Sequence, residues 1–332
     1  MLPSIDPAED RDRRGISVRS IVNSAGIGLA LIALILFFSV FTEHFLSPNN
    51  LTNILTQITI NMILAVGMTF VILIGGIDLS VGSVMAFAAV VAGKAITIPG
   101  MGPTELIILA IGAALLAGVA CGLINGLVSA YWALPSFIIT LGMLNIARGA
   151  ALHVSDAKTI YSFPFAFEEF GSALLFGIPV VFLVALVLVL IAWFILNRTV
   201  FGRLLYGIGN NEEAVRLAGH PVFWYKVAAF AICGLTAGIA AIVYMARLNI
   251  SSPIAGIGFE LNAIAAVIIG GTSLSGGRGS IIGTLLGAFI IGVLANGLIL
   301  IGLNDFMRQM ITGVVIIIAV ILDHYRAKYM SR

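Results

Sequence analysis

The chain of 332 residues is 60% hydrophobic and only 10% charged, whereas soluble globular domains carry about 25% charged residues. This composition excludes an ordinary soluble protein and predicts an all-α polytopic membrane protein. The formal net charge of +2 gives no indication of nucleic acid as a partner. Both cysteines, Cys121 and Cys233, lie within apolar runs, so a disulfide framework is not expected.

Ten apolar segments follow a polar tail of residues 1–20. The first, Ile21 to Phe41, is long enough to span a bilayer and is not followed by a small-residue cleavage site, so it predicts an uncleaved helix. The others are residues 51–75, 79–98, 105–131, 136–152, 174–196, 222–246, 258–271, 280–302 and 308–323. The sequence predicts about ten transmembrane helices in one domain, 21–325, and a second short tail at 326–332.

The basic residues predict how these helices are oriented. With ten crossings, most of the 17 Lys and Arg residues fall on the side that holds both termini. Cytoplasmic segments carry the excess of Lys and Arg in membrane proteins. We therefore expect both termini in the cytoplasm.

The longest polar interruption on the cytoplasmic side is residues 197–221. Asn210 and Glu213 have the spacing of a capping box, which predicts that a helix begins at Asn210. Gly219 suits the position just after the end of a helix, because it adopts a left-handed conformation readily. These signals predict a short, well-capped helix over residues 210–219.

This short helix has a charged face, on which Glu212 and Arg216 are four residues apart. Connections that only reverse the chain between helices commonly take about 2–8 residues, so a helix here indicates another role. We expect it to dock into a groove on a cytoplasmic partner. The alternative is an interfacial helix on the lipid headgroups, for which its basic content is thin.

Acidic residues interrupt the apolar pattern at two further places. Asp78 lies with Ser80 and Ser83 between two apolar runs, and Glu260 lies at the start of another. A carboxylate at the centre of a bilayer costs roughly 2.5–3.5 kcal/mol, so each acid needs a cap, a partner or water. Three roles stay open for both acids: caps of helix starts, contacts or gates of a transport pathway, and proton-coupling groups.

An internal repeat relates the two acids. Residues 76–79 (Gly-Ile-Asp-Leu) resemble residues 258–261 (Gly-Phe-Glu-Leu), and residues 125–127 match residues 296–298 (both Asn-Gly-Leu). The matches relate predicted helices 3 and 4 to helices 8 and 9, five helices further along the chain. Because successive spanning helices alternate in direction, an odd offset means that the two halves have opposite orientations in the membrane. We expect an inverted repeat of helices 2–5 and 7–10, with the two acids at opposite membrane faces.

Amide side chains recur inside the predicted spans, at Asn61, Asn125, Asn145, Asn262 and Asn296. In hydrocarbon each amide needs hydrogen-bond partners, which a neighbouring helix can supply. As a set, however, these amides fit a neutral, hydroxyl-rich cargo better than an ion. Together with both acids and the two neighbouring serines, they are the candidate residues of a translocation pathway or gate.

Three stretches carry a family resemblance. Residues 66–87 and 256–288 resemble the ribose-type permeases, and residues 213–219 resemble the coupling loop of permease subunits of ATP-binding-cassette (ABC) importers. That family serves ribose, xylose, galactose, inositol and similar substrates. The resemblance extends over about residues 45–325 and implies a pore-forming subunit of a bacterial inner membrane that dimerises.

The coupling loop implies a separate ATPase subunit. The residues expected to couple to it are Asn210, Glu212, Glu213, Ala214, Arg216 and Gly219, with Val215 replacing the second alanine of the family's Glu-Ala-Ala pattern. The chain has no Gly-x-x-x-x-Gly-Lys-[Ser/Thr] sequence, so ATP and Mg²⁺ are expected on the partner and no cofactor in this chain. It also lacks a Gly-x-Ser-x-Gly or His-Glu-x-x-His motif, so neither an enzyme nor a metal site is expected.

A periplasmic sugar-binding protein is the other partner that the resemblance implies. Charged residues near the predicted outer helix ends form its candidate docking surface: Arg148, Glu168, Glu169, Arg247, Asp305 and Arg308. Charge complementarity at such a surface governs encounter and register more than affinity. For each residue alone, a charge that snorkels to the membrane interface is the alternative.

Two functions remain open. One is the membrane subunit of an ABC importer for a monosaccharide or related cyclic polyol, and the other is a stand-alone proton-coupled sugar carrier that uses Asp78 or Glu260. The capped cytoplasmic helix favours the importer, because a stand-alone carrier does not need it. The sequence distinguishes neither the sugar nor a homodimer from a heterodimer.

Overall fold

The computed structural model describes residues 18–330, with side chains over residues 26–321. Residues 1–17 and 331–332 of the predicted tails lie outside this part of the chain. The helices are α1 Val18–Phe41, α2 Pro48–Leu73, α3 Val81–Ile96, α4 Pro103–Tyr131, α5 Ser136–Val154, α6 Phe165–Ser172, α7 Val180–Arg198, α8 Val200–Asn210, α9 Glu212–Leu217, α10 Val222–Leu248, α11 Phe259–Ile269, α12 Ile281–Leu300 and α13 Asp305–Met330. Short strands pair in two ribbons, β1 (Ile160–Tyr161) with β4 (Ile250–Ser251) and β2 (Leu174–Leu175) with β3 (Ile178–Pro179).

Helices occupy all ten apolar segments predicted from the sequence. Six of them, α2, α4, α5, α7, α10 and α12, are long and apolar enough to cross a membrane. At about 1.5 Å per residue, α3 and α11 reach only about 24 Å and 16 Å, less than the roughly 30 Å of bilayer hydrocarbon. α13 continues to Met330, through most of the segment predicted as a tail, and α6 and α8 were not predicted.

The helix packing repeats with an offset of five apolar helices. α3 packs against α4 and α5, and α10 packs against both α3 and α4. Correspondingly, α11 packs against α12 and α13, and α2 packs against both α11 and α12. α2 and α10 also contact each other at the centre. The packing therefore agrees with the predicted repeat of helices 2–5 (α2–α5) and 7–10 (α10–α13).

Glycines at four-residue spacing let α4 and α10 approach closely. Gly118 and Gly122 of α4 face Gly234 and Gly238 of α10, and a Cβ on Gly122 would lie 3.1 Å from the N and Cα atoms of Gly234. Small residues at this spacing allow backbones to pack directly in a membrane, where no hydrophobic effect drives helices together. The crossing fixes α4 against the core of the bundle.

Segments that the orientation places on one side of the membrane do meet in the structure. On the predicted outer side, β1 pairs with β4, and the amides of Asn50 and Asn296 exchange two hydrogen bonds of 3.0 Å. On the predicted cytoplasmic side, the Gly277 N–H donates to the Leu73 carbonyl at 2.9 Å. These contacts agree with the predicted order of crossings.

Candidate functional site

The first interrupted stretch, residues 74–80, joins α2 to α3 and buries its carboxylate. Asp78 Oδ1 accepts hydrogen bonds from the Ser80 N–H (2.9 Å) and hydroxyl (2.6 Å), and Oδ2 accepts one from Asn125 Nδ2 (3.4 Å). Asn125 Nδ2 also donates to Ser80 Oγ at 3.0 Å. α3 begins at Val81 with Ser80 as its N-cap residue. Asp78 therefore orders the turn before the helix and, of the three roles left open for it, does not act as the N-cap residue itself.

α5 holds the same stretch from the other side. Ser136 Oγ accepts from the Ile77 N–H at 2.9 Å, and Thr140 Oγ1 accepts from the Leu79 N–H at 3.1 Å while donating to the Ile77 carbonyl at 3.2 Å. Non-helical backbone inside a membrane protein needs such partners. Sequence reasoning missed both hydroxyls, because nothing in their spacing points to a loop some 60 residues away.

The second interrupted stretch, residues 252–258, enters the bundle from the opposite side. Ser251 of β4 lies against Gly93 near the C-terminal end of α3, whereas Gly256 lies against Gly82 in its first turn. These two glycines of α3 are about 16 Å apart at a rise of about 1.5 Å per residue. The stretch therefore runs along α3 into the bundle before α11 begins.

Arg148 of α5 holds this second stretch in place. Its Nη1 donates to the carbonyl oxygens of Pro253 (2.6 Å) and Ala255 (2.8 Å). Arg148 was predicted as part of the docking surface for a binding protein, but its guanidinium contacts the chain's own re-entrant backbone. The turn that precedes α11 thus depends on a half-buried cation of α5.

Glu260 lies in the first turn of α11, and its carboxylate meets the first turn of α3. Glu260 Oε1 accepts from the Gly258 N–H at 3.2 Å, and a Cβ on Gly82 would lie 2.5 Å from Glu260 Oε2. The predicted placement of the two helix starts at opposite membrane faces was therefore wrong. Each re-entrant stretch carries its helix start inward, so the N-terminal ends of α3 and α11 lie against each other inside the bundle.

The remaining pathway candidates occupy different environments. Asn125, Asn296 and Ser83 are buried, Asn61 and Asn262 are half-buried, and Asn145 is exposed. Asn296 bonds reciprocally to Asn50 between α12 and α2, as expected for helix-to-helix bonding. The side-chain oxygens of Asn61 and Asn125 have no hydrogen-bond partner. The structure brings only Asn125 into direct contact with Asp78 and Ser80.

The predicted cytoplasmic helix exists as α9 but begins later than expected. Asn211, not Asn210, is its N-cap, and Asn211 Oδ1 accepts from the Ala214 N–H at 3.0 Å. Asn210 ends the preceding helix α8, so the predicted capping box was misplaced by one residue. Gly219, with φ of 85°, follows the helix as predicted.

Most of α9 is exposed. Val215 alone among its residues is buried, whereas Leu217 is 79% exposed and Trp224, at the start of α10, is 62% exposed. Glu212 bonds to Lys226 at 2.7 Å, and Glu213 pairs with Arg216. A cavity of about 290 Å³ lies between α9 and the start of α10. Leu217 and Trp224 thus present apolar side chains beside two ion pairs, a mixed composition that protein interfaces also have.

The predicted outer surface gathers some of its charges around α6. Glu168 and Glu169 are exposed on α6, and Glu168 Oε2 accepts from Asn249 Nδ2 at 3.1 Å. Arg247 is half-buried nearby in the last turn of α10. Asp305 and Arg308, which pair with each other at the start of α13, complete the set.

The interrupted helices, together with the helices long and apolar enough to cross a membrane, indicate a membrane transport protein. Interrupted helices form the substrate site in many transporter folds. Among the side chains of residues 26–321, no group of three or more His, Cys, Asp or Glu could hold a metal ion.

Comparisons with known proteins define the family. Residues 50–320 match the family described as the permease component of the branched-chain amino acid transport system. The chain is 41% identical over 303 residues to the ribose import permease protein RbsC of Escherichia coli K12, covering 89% of this chain and 92% of the relative. It is 40% identical over 300 residues to the D-allose transport system permease protein AlsC of the same strain, covering 90% of each. The L-arabinose ABC transporter permease protein AraH of Azospirillum brasilense is 34% identical over 324 residues, covering 98% of this chain and 94% of the relative. No solved structure gives a significant match to the chain.

The chain belongs to this family of ABC importer permeases. It is a multi-pass inner-membrane transport subunit and not an enzyme. Membership favours the importer over the stand-alone proton-coupled carrier, because permeases of this family work with separate ATPase and binding-protein subunits. The family description and the relatives differ in cargo, so membership alone does not name the substrate.

Proposed function

We propose that this permease imports a monosaccharide or related cyclic polyol. The relatives that cover about nine-tenths of the chain are named for ribose, allose and arabinose. A neutral polyol is recognised through hydrogen bonds, and the half-buried or exposed amides of Asn61, Asn145 and Asn262 supply donors and acceptors without net charge. The number and similarity of these relatives support a sugar over the amino acid of the family description.

The single observation that carries the energy-coupling part is the exposure of α9. In a complex with the ATPase, Leu217 and Trp224 would be the apolar anchors at the centre of the interface. The ion pairs Glu212–Lys226 and Glu213–Arg216 would lie at its polar rim. ATP and Mg²⁺ belong to that partner. The short helix moves with the ATPase and transmits its closure to the bundle.

The pathway follows the open face of α5. Gly142, Asn145 and Gly149 lie on one exposed stripe of this helix, and a Cβ on either glycine would meet no atom within 4 Å. A pathway open on one side of the chain needs a second permease to close it, as a homodimer or with a related subunit. Half-buried Glu260 and Asn262 border the same route, whereas Asn296 acts between helices.

A binding protein would deliver the sugar to the outer surface near α6. The exposed Glu168 and Glu169 and the half-buried Arg247 offer both signs of charge there, and Asp305 with Arg308 extends the surface. With both termini in the cytoplasm, this surface faces the periplasm and α9 faces the ATPase.

Uptake into vesicles that contain the permease and its ATPase tests the proposal. Labelled ribose, xylose, galactose, allose and inositol are supplied with the cognate binding protein. We expect that at least one of these compounds is taken up, that its uptake needs ATP, and that its uptake continues after collapse of the proton gradient. Uptake that needs the gradient instead of ATP, or no uptake of any polyol, would contradict it.

Replacement of Leu217 tests the docking of α9 separately. Leu217→Asp places a charge in the proposed apolar contact and is expected to reduce co-purification of the ATPase at least about tenfold. Phe165→Asp is the matched control, because Phe165 is 76% exposed on α6 at the predicted opposite side. Equal ATPase recovery with both variants would exclude α9 from the interface.

A further inference from the structure

The C-terminal end of α8 is wedged between two loops of the bundle. A Cβ on Gly209 would overlap the Leu73 carbonyl oxygen and the Gly277 amide nitrogen, and would lie 3.0 Å from the Gly276 carbonyl carbon. All three neighbours are backbone atoms, which cannot move aside like the end of a flexible side chain. At position 209, therefore, only glycine fits without displacing the backbone.

The two loops that receive α8 are bonded to each other. The Gly277 N–H donates to the Leu73 carbonyl at 2.9 Å, and a Cβ on Gly276 would lie 2.8 Å from the Gly75 nitrogen. Gly75 and Gly276 have φ of 76° and 81°, values that L side chains rarely adopt. We name the contact among Gly75, Gly209, Gly276 and Gly277 the glycine joint.

α8 is also tied to its neighbours on either side of the joint. Tyr206 Oη donates to the Gly279 carbonyl at 3.0 Å, which binds α8 to the loop before α12. Burial raises the pKa of the Tyr206 phenol, which favours the protonated hydroxyl that donates this hydrogen bond. On the other side, α9 follows α8 directly, and the N–H of Asn211 between the two helices donates to the Gly207 carbonyl at 2.9 Å.

The glycine joint adjoins the first interrupted stretch and the loop that follows the C-terminal end of α11. Gly75 begins the turns that continue to Ile77 and Asp78, which Ser136 and Asn125 hold in place. Gly276 lies in the loop between α11 and α12, which begins at Gly271 just after the end of α11. Backbone contacts thus connect α8 to the stretch before α3 and to the C-terminal end of α11.

We propose that Gly209 is a positioning residue for energy coupling, which transmits movement of α9 through the glycine joint to α3 and α11. The inference rests on the proposed function, since it assigns the route by which ATPase closure reaches the pathway. Close backbone contact suits this role, because packed elements shift between discrete arrangements and do not deform continuously. The three atoms nearest to a Cβ on Gly209 are backbone atoms, so at this point no flexible side chain absorbs the movement.

The test compares Gly209→Ala with Gly207→Ala in the complete transporter. The two glycines lie two residues apart on α8, but a Cβ at 207 meets only the end of the Val215 side chain. Gly209→Ala is expected to keep ATPase binding and ATP hydrolysis within about twofold of wild type while sugar transported per ATP falls about tenfold, an effect of the size that overpacking produces. Gly207→Ala is expected to stay within about twofold in all three measurements.

Tyr206→Phe keeps the side-chain volume and removes only the bond to Gly279, so it tests the joint even if Gly209→Ala fails to fold. Sugar transported per ATP is expected to fall about threefold, as loss of one hydrogen bond allows. Unchanged transport per ATP in Tyr206→Phe, or loss of transport in proportion to lost ATPase binding in Gly209→Ala, overturns the inference. If the wild-type permease binds no ATPase, the proposed function fails instead.

Discussion

The two interrupted stretches perform the same structural task with different chemistry. Asp78 is buried and accepts hydrogen bonds from Ser80 and Asn125. Glu260 is half-buried and accepts one from the Gly258 N–H within the chain. The repeat therefore preserves an inward helix start in both halves, while one carboxylate is locked and the other remains accessible. A symmetric fold does not imply symmetric roles for the matched residues.

The largest expected effect comes from truncating the locked acid. Asp78→Ala leaves the Ser80 N–H and hydroxyl buried without their acceptor and removes the weaker of the two acceptors of Asn125 Nδ2. Each buried donor left unpaired costs about 1–3 kcal/mol. We expect unfolding in detergent to become easier by roughly 3 kcal/mol or more. Glu260→Ala, the matched control, should cost about 1 kcal/mol or less, because water can replace its single bond. Equal losses in thermal or denaturant unfolding would remove the distinction between the two acids.

The contact between the two helix starts should be nearly as sensitive. Gly82→Ala pushes a methyl group against Glu260 Oε2 and the Gly256 carbonyl, and overpacking of this kind costs about 1–3 kcal/mol. Gly142→Ala is the control on the exposed stripe of α5, where a Cβ meets no atom within 4 Å. We expect that variant to unfold like wild type or slightly later. If Gly82→Ala is as stable as Gly142→Ala, the helix starts do not meet as described.

Removal of the Arg148 guanidinium should loosen only the second stretch. Arg148→Ala deletes the bonds to the Pro253 and Ala255 carbonyls, and hydrogen bonds from charged groups contribute about 1.5–3 kcal/mol. Hydrogen exchange measured by mass spectrometry should rise at 252–258 and stay unchanged at 74–80. Lys94→Ala, which removes an exposed cation from α3, should change neither segment. Faster exchange in both stretches of Arg148→Ala would show that they are not held independently.

The smallest effect is expected for Glu260→Gln. The amide oxygen can still accept from the Gly258 N–H, so the free energy of unfolding should stay within about 0.5 kcal/mol of wild type. Sugar transport by this variant should still be driven by ATP and be unaffected by collapse of the proton gradient. An importer powered by ATP needs no proton-binding group at position 260. If sugar uptake by the wild type depends on the proton gradient and uptake by Glu260→Gln does not, the protein is instead a proton-coupled sugar carrier.

Local sequence signals predicted the helix α9 but not how the neighbouring helix α8 packs against the bundle. The capping residues and Gly219 predicted a short helix, which exists, but placed its start at Asn210 instead of Asn211. Asn210 and Asn211 have the same capping side chain, and because Asn210 is the last residue of α8, Asn211 caps α9. The contacts of Gly209 with Leu73 and Gly277 join residues far apart in sequence, so no local pattern contains them.

The sequence by itself determined the membrane class, the ten apolar helices and the repeat of two halves, because hydrocarbon length and backbone hydrogen bonding restrict what apolar segments can form. Only the tertiary structure decided where the interrupted stretches lead. It placed the start of α3 against that of α11, turned Arg148 onto the backbone at 253–255, and bonded Ser136 and Thr140 to the loop around Asp78. A residue's partners in a bundle depend on how helices cross, and the chain specifies those crossings collectively through packing.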